Sequence, residues 1–134
     1  MKYLIALCTM LLSFALTAGA QVAGPVTLKG YVVDQMCAGK MAMKDNAMEK
    51  AQGHSKDCAL DDHCAASGYG IFSDGKYYKF DEKGSERAKG LIEKSQREKG
   101  LFFEAKGTVS EGTMALTSLK EATPPKAKIM KKGT

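Results

Sequence analysis

Alternating hydrophobic and polar residues predict β-strands in the first part of the chain. Residues 26–34 (VTLKGYVVD) alternate as a strand does, with Gly30 permitting a bend or a bulge. Residues 69–73 and 76–81 flank Asp74-Gly75, which favours a two-residue type I′ turn because both central residues need positive φ. These two segments therefore predict a β-hairpin. In the first strand, the positions expected to face inward are Val26, Leu28, Tyr31 and Val33.

Helical segments precede and follow this hairpin. Residues 40–52 are rich in Met, Ala, Lys and Glu, which are good helix formers, and Gly53 is a suitable stop. Ser85 is a candidate N-cap of a second helix, which Gly100 would end. Its packed positions at helical spacing would be Ala88, Leu91, Ile92 and Ser95. Two more strands, residues 101–110 and 113–121, would be joined through Glu111-Gly112.

The order of these elements predicts a mainly β (α+β) fold. Three strands, one helix and two strands are the order of an OB-fold, a five-stranded Greek-key barrel. We therefore expect an OB-like barrel with a helix between strands 3 and 4. A Cys/His/Met-rich helical insert, about residues 35–67, would follow strand 1. The alternative is another α+β roll, in which one helix packs on a five-stranded antiparallel sheet.

Composition and charge limit the class of protein. The chain has 134 residues, 44% of them hydrophobic, which suits one small globular domain. Its formal net charge is +5, but residues 3–125 contain fifteen basic and fifteen acidic side chains. The excess positive charge therefore lies at the two ends of the chain, and the basic pI does not indicate a nucleic-acid partner. The five lysines responsible are Lys2, Lys126, Lys128, Lys131 and Lys132.

The N-terminal residues resemble a secretory signal peptide. Met1-Lys2 is a short positive region, residues 3–16 are apolar, and Ala18-Gly19-Ala20 offers an A-x-A cleavage site. The apolar run is shorter than the roughly 20 residues of an uncleaved anchor. We expect a signal peptide at residues 1–20, a domain at 21–123 and a basic disordered tail at 124–134. The mature protein would be periplasmic or secreted, with no transmembrane segment.

The insert contains the residues that could carry chemistry. After signal removal three cysteines remain, an odd number, and all lie there together with both histidines. One His and three Cys can supply four ligands for zinc, while thiolates and thioethers suit copper(I). Alternatively, a disulfide between two of the cysteines would staple the insert to the barrel. The preferred metal ligands are Cys37, His54, Cys58 and Cys64.

Other side chains of the insert allow two interpretations. Met41, Met48 and Ala51 lie on one face of the predicted helix and would pack against the barrel. A copper site would instead use some of Met36, Met41 and Met43. The acidic residues Asp57, Asp61 and Asp62 would either orient an imidazole or form a solvated loop.

Motifs of common enzyme classes are absent from the sequence. It has no G-x-S-x-G, no H-E-x-x-H and no thioredoxin-like C-x-x-C. The leading hypothesis is a non-enzymatic exported domain that binds zinc or copper through the insert. A disulfide-stapled module that binds an envelope protein or a glycan is the alternative. A thiol-disulfide redox protein is a third class, which an exposed lone cysteine would favour.

Several short stretches resemble a family of small exported bacterial proteins of uncharacterised function. The resemblance covers most of residues 28–119 and implies an OB-like barrel without an assigned activity. It begins with G-x-V-x-D-x-x-C at residues 30–37 and includes H-x-x-x-C at residues 54–58. The remaining matching stretches are residues 64–68, residues 74–80 and Gly107-Thr108-Val109.

Overall fold

Five strands close into a barrel in the computed structural model of the protein, which describes residues 24–126. The strands are β1 (Val26–Asp34), β2 (Tyr69–Ser73), β3 (Lys76–Phe80), β4 (Phe102–Ser110) and β5 (Thr113–Glu121). Around the barrel, the strand order is β1-β2-β3-β5-β4, and β4 pairs back with β1. All pairs are antiparallel except the short parallel contact between β3 and β5.

The closed barrel confirms the predicted fold class. An open antiparallel roll has two free edges, whereas here β3 meets β5 through the pairs Lys79 with Thr113 and Phe80 with Met114. The predicted hairpin turn is also present, because Asp74 and Gly75 have φ values of 49° and 80°. Glu111 and Gly112 repeat this pattern between β4 and β5, with φ values of 50° and 77°.

The insert between β1 and β2 contains four short helices. A short helix is present in the predicted stretch, at Ala47–Gly53, and it ends at Gly53 as expected, but residues 42–46 form a turn that separates it from a preceding helix. Asp45 and Asn46 lie in that turn, and such short polar side chains favour turns and caps over helix interiors. The helices are α1 (Gln35–Met41), α2 (Ala47–Gly53), α3 (Lys56–Leu60) and α4 (Asp62–Ala66).

The helix between β3 and β4, α5 (Glu82–Lys94), lies where the sequence placed one, but both of its ends differ from the prediction. Its N-cap is Asp81, whose Oδ1 accepts a hydrogen bond from the Gly84 N–H at 3.0 Å. Ser85 does not cap the helix, and its hydroxyl oxygen instead accepts from the Tyr69 N–H at 3.0 Å. The helix ends before Ser95 rather than at Gly100. The cap that sets the start of α5 is therefore Asp81, four residues upstream of the predicted one.

Two hydrophobic clusters lie on opposite faces of the barrel wall. The inner cluster fills the barrel with residues such as Val32, Phe103 and Met114, and α5 adds Ile92. The outer cluster lies between the barrel wall and helices α1 and α2. The prediction that Tyr31 and Val33 face inward was wrong, because Val32 takes the inward position. Members of the outer cluster are Tyr31, Val33, Ala38, Ala47, Ala51, Phe72 and Phe102.

The predicted signal peptide and residues 127–134 of the predicted tail lie outside the described residues. Among residues 24–126, no helix combines the length and the apolar character that crossing a membrane requires.

We predict that Gly30→Ala strongly destabilises the barrel. A methyl group at Gly30 would overlap the carbonyl oxygen of Phe72 on the neighbouring strand β2. The free energy of unfolding should fall by about 2 kcal/mol or more, as measured by denaturant titration. Gly90→Ala in α5 is the control, since a methyl group there meets nothing within 4 Å. It should raise stability by about 0.5–1 kcal/mol, and equal effects at the two sites would contradict the prediction.

Candidate metal centre

Three cysteine thiols meet beside the barrel. Cys37 lies on α1, Cys58 on α3 and Cys64 on α4. The Cys37 Sγ atom is 3.8 Å from Cys58 Sγ and 4.0 Å from Cys64 Sγ. All three sulfur atoms lie within 4.8 Å of one another. The insert thus brings together residues that are up to 27 positions apart in the sequence.

Each cysteine is the third residue of its short helix, and the residue three positions before it is the N-cap. The Asp34 Oδ2 atom accepts a hydrogen bond from the Cys37 N–H at 2.8 Å, and Ser55 Oγ accepts from the Cys58 N–H at 3.2 Å. Asp61 caps α4 by accepting from the His63 N–H. A cap side chain fixes the first turn of a helix. An N-cap at the same spacing therefore begins each of the three helices that carry the thiols.

Helix α3 is tied to the barrel and to α5. The Tyr69 hydroxyl donates a hydrogen bond to the Ala59 carbonyl at 2.7 Å, inside the inner cluster. Lys56 Nζ donates to the carbonyl oxygens of Glu93 and Ser95, at the C-terminal end of α5. These contacts hold Cys58 in place from both sides.

A buried Asp–His pair lies next to the thiols. Asp34 is completely buried and His54 is 6% exposed. The His54 Nε2 atom is 3.2 Å from Asp34 Oδ1. Within residues 24–126, neither ring nitrogen of His54 has a partner that meets the geometry of a hydrogen bond. Asp34, Cys37 and His54 each offer a ligand atom within 4.8 Å of the other two.

The carboxyl group of Asp34 is held in its charged form. Burial alone would raise its pKa, but contact with His54 and the hydrogen bond from the Cys37 N–H outweigh that effect. The pKa therefore lies below its ordinary value of 3.8. At neutral pH a negative charge is buried beside the cysteines.

The thiols of Cys37 and Cys64 are correspondingly hard to ionise. Burial raises the pKa of both thiols above the ordinary range, and the Asp34 carboxylate raises it further. A cation placed among the sulfur atoms would reverse this preference, because thiolate is the form that binds a metal.

The arrangement matches metal coordination better than a disulfide. With Zn–S bonds of 2.3 Å, tetrahedral geometry separates two sulfur ligands by about 3.8 Å, and the observed separations are 3.8 and 4.0 Å. A disulfide requires about 2.05 Å. All three cysteines are free thiols in the described part of the chain, so no staple of the kind considered above has formed.

The four predicted ligands fall into two groups that share one residue. Cys37, Cys58 and Cys64 form the first group, while His54 belongs to the second, with Asp34 and Cys37. Asp34 was missed among the site residues, because an Asp at the end of a strand looks like a helix cap or a turn. Two signals could have identified it: its position three residues before Cys37, and its place in the G-x-V-x-D-x-x-C stretch.

The other candidates of the insert lie outside the centre. Met41 and Met48 pack on the outer cluster, as the packing interpretation predicted. Met36 and Met43 are 45% and 79% exposed. The acidic residues Asp57, Asp61 and Asp62 are also exposed, and Asp61 serves as a cap.

Comparisons with known protein families, with curated proteins and with solved structures find no match to this chain.

We predict that Asp34→Asn lowers the free energy of unfolding by about 3 kcal/mol at pH 7, since it removes the buried carboxylate that accepts from the Cys37 N–H and faces His54. The folded-state pKa of Asp34 lies below 3.8, so its charge stabilises the fold fully above that pH. As pH falls through the lower, folded-state pKa, the wild-type advantage should disappear. Chemical denaturation of the wild-type and Asp34→Asn proteins between pH 2 and 7 measures this difference in the free energy of unfolding.

The control is Asp45→Ala, in the exposed turn before α2. It should lower the free energy of unfolding by less than about 0.5 kcal/mol. A wild-type advantage that does not change with pH would contradict the assignment.

Proposed function

We propose that the protein is a non-enzymatic exported domain that binds one zinc ion in its insert. The thiolates of Cys37, Cys58 and Cys64 would provide three ligands, and His54 the fourth. The observation that carries this proposal is that three free thiols lie together. The sulfur–sulfur distances of 3.8 and 4.0 Å match the spacing of two sulfur ligands on a tetrahedral zinc ion.

The role of His54 is supported by its contact with Asp34. A histidine that binds a metal through one ring nitrogen commonly presents the other nitrogen to a carboxylate, which fixes the ring and its tautomer. Here Nε2 faces Asp34 Oδ1, which leaves Nδ1 as the nitrogen available to a metal. Nδ1 is buried without a hydrogen-bond partner among residues 24–126, and a metal bond would compensate for that loss.

Zinc is favoured over copper by the composition of the site. Three cysteines with one histidine form a common structural zinc set, whereas thioether ligands would favour copper(I). The methionines support zinc, because Met41 and Met48 pack in the outer cluster and Met36 and Met43 are exposed. Copper(I) bound by the thiolates alone is the second candidate.

A metal at this position would also protect the three thiols of an exported protein from oxidation. Exported cysteines tend to oxidise to disulfides, whereas metal-bound thiolates are protected. Export rests on the signal-like residues 1–20 and on the resemblance to small exported bacterial proteins. We propose that the protein is related to that family and that zinc stabilises the insert.

We predict that the purified protein contains about one zinc per chain, measured by elemental analysis together with a thiol count. Cys58→Ser should lower zinc affinity by about 100-fold or more, and His54→Gln by about 10-fold to 100-fold. His63→Gln is the matched control, because His63 is exposed and should leave the affinity unchanged.

A different result would favour the alternative function. One free thiol per mature chain, one disulfide and no bound metal would indicate the stapled module that binds a protein or a glycan. Stoichiometric copper(I) instead of zinc would change the metal but keep the thiol centre.

We also predict that zinc binding releases at least two protons per ion at pH 7. The thiols of Cys37 and Cys64 are protonated in the metal-free protein, because their pKa values are raised. Both must ionise to bind a metal, so zinc affinity should increase as pH rises. Calorimetry in buffers of different ionisation enthalpy counts the protons. Release of fewer than one proton would contradict binding through these thiols.

A further inference from the structure

An open cavity leads from the surface of the insert to the thiols. It has a volume of about 590 Å³ and contacts Cys37, His54 and Cys58. Cys64 does not line it and is buried. A metal ion that reaches the centre by this route therefore meets Cys37 and Cys58 first.

Three lysines surround this cavity without an acidic partner among its lining residues. Lys40 comes from α1, Lys44 from the turn that follows and Lys50 from α2. All three are exposed. The remaining lining residues, Met41, Gly53 and Ser55, are uncharged. A domain whose charges balance in sum thus places three of its positive charges around the opening above the thiols.

This charge pattern opposes the approach of a free metal cation. Each lysine repels a hydrated divalent ion and attracts an anion, and a concave surface of one sign concentrates its field. The volume lies within the range of small-molecule sites, about 300–1,000 Å³. The cavity is therefore suited to a metal ion that arrives inside a larger, negatively charged complex.

We propose that this cavity accepts the metal as an anionic complex with a small carboxylate ligand. This inference rests on the proposed zinc-binding function and names the form in which the metal is delivered. Metal–oxygen bonds to the carboxylates break, and metal–sulfur bonds to Cys37 and Cys58 form first, followed by Cys64. The thiol protons pass to the buffer or to the departing carboxylates, and the metal keeps its oxidation state.

The experiment measures the rate of metal transfer from two donors of opposite charge. Cobalt(II) replaces zinc because its thiolate complexes absorb visible light, so stopped-flow absorbance follows transfer. The anionic donor is the cobalt complex of nitrilotriacetate, and the cationic donor is the complex of diethylenetriamine. The variant is Lys40→Gln/Lys44→Gln/Lys50→Gln. Its matched control is Lys76→Gln/Lys83→Gln/Lys89→Gln, which removes the same charge from exposed lysines that do not line the cavity.

We expect the cavity variant to slow transfer from the anionic donor by about 10-fold or more, the lower end of electrostatic steering effects. Added salt should likewise slow transfer from the anionic donor to the wild-type protein. Transfer from the cationic donor should not slow, and the equilibrium affinity for cobalt should stay within about threefold. The control variant should change the rate from the anionic donor by less than about twofold, because its charges are more distant and screened.

Two results would overturn the proposal in distinguishable ways. If transfer to the cavity variant is equally slow from both donors and cobalt binding is also weaker, the lysines only balance the charge of the metal–thiolate centre. If hydrated cobalt(II) itself produces no thiolate absorption in the wild-type protein, the proposed metal-binding function fails, and this inference fails with it.

Discussion

The buried carboxylate of Asp34 connects the barrel to the insert. It lies where β1 ends and α1 begins, with one oxygen accepting from the Cys37 N–H and the other facing His54. Because an isolated buried charge is costly, its surroundings must compensate for it. The N-terminal turn of α1 and the imidazole of His54 do so in part. Burial, together with the same charge, raises the pKa of the neighbouring thiols of Cys37 and Cys64.

The barrel acts as a rigid support for this centre. Tyr31, Val33 and Phe72 form the apolar floor on which α1 and α2 pack, while Tyr69 and α5 hold α3. Short helices of five to seven residues are unstable alone and need tertiary contacts. The geometry of the thiols therefore depends on packing against the barrel, and a bound metal would in turn stabilise the helices.

The centre is built from one local pattern that occurs three times. An oxygen-bearing cap stands three residues before each cysteine, in Asp34-x-x-Cys37, Ser55-x-x-Cys58 and Asp61-x-x-Cys64. Each cap begins a short helix and places its cysteine in the first turn. The pattern can be seen in the sequence, but zinc-finger spacings do not resemble it. A search for paired C-x-x-C motifs therefore misses it.

Local chemistry determined much of this protein from the sequence alone. Asp74-Gly75 specified its hairpin because the turn needs positive φ, and the element order predicted the barrel with α5 between β3 and β4. The cysteines and His54 were candidates because of their ligand chemistry. Tertiary structure decided which face of β1 is inward, that the three thiols meet, and that Asp34 is buried against His54. Those outcomes depend on contacts between residues far apart in the chain, and no local preference encodes such contacts.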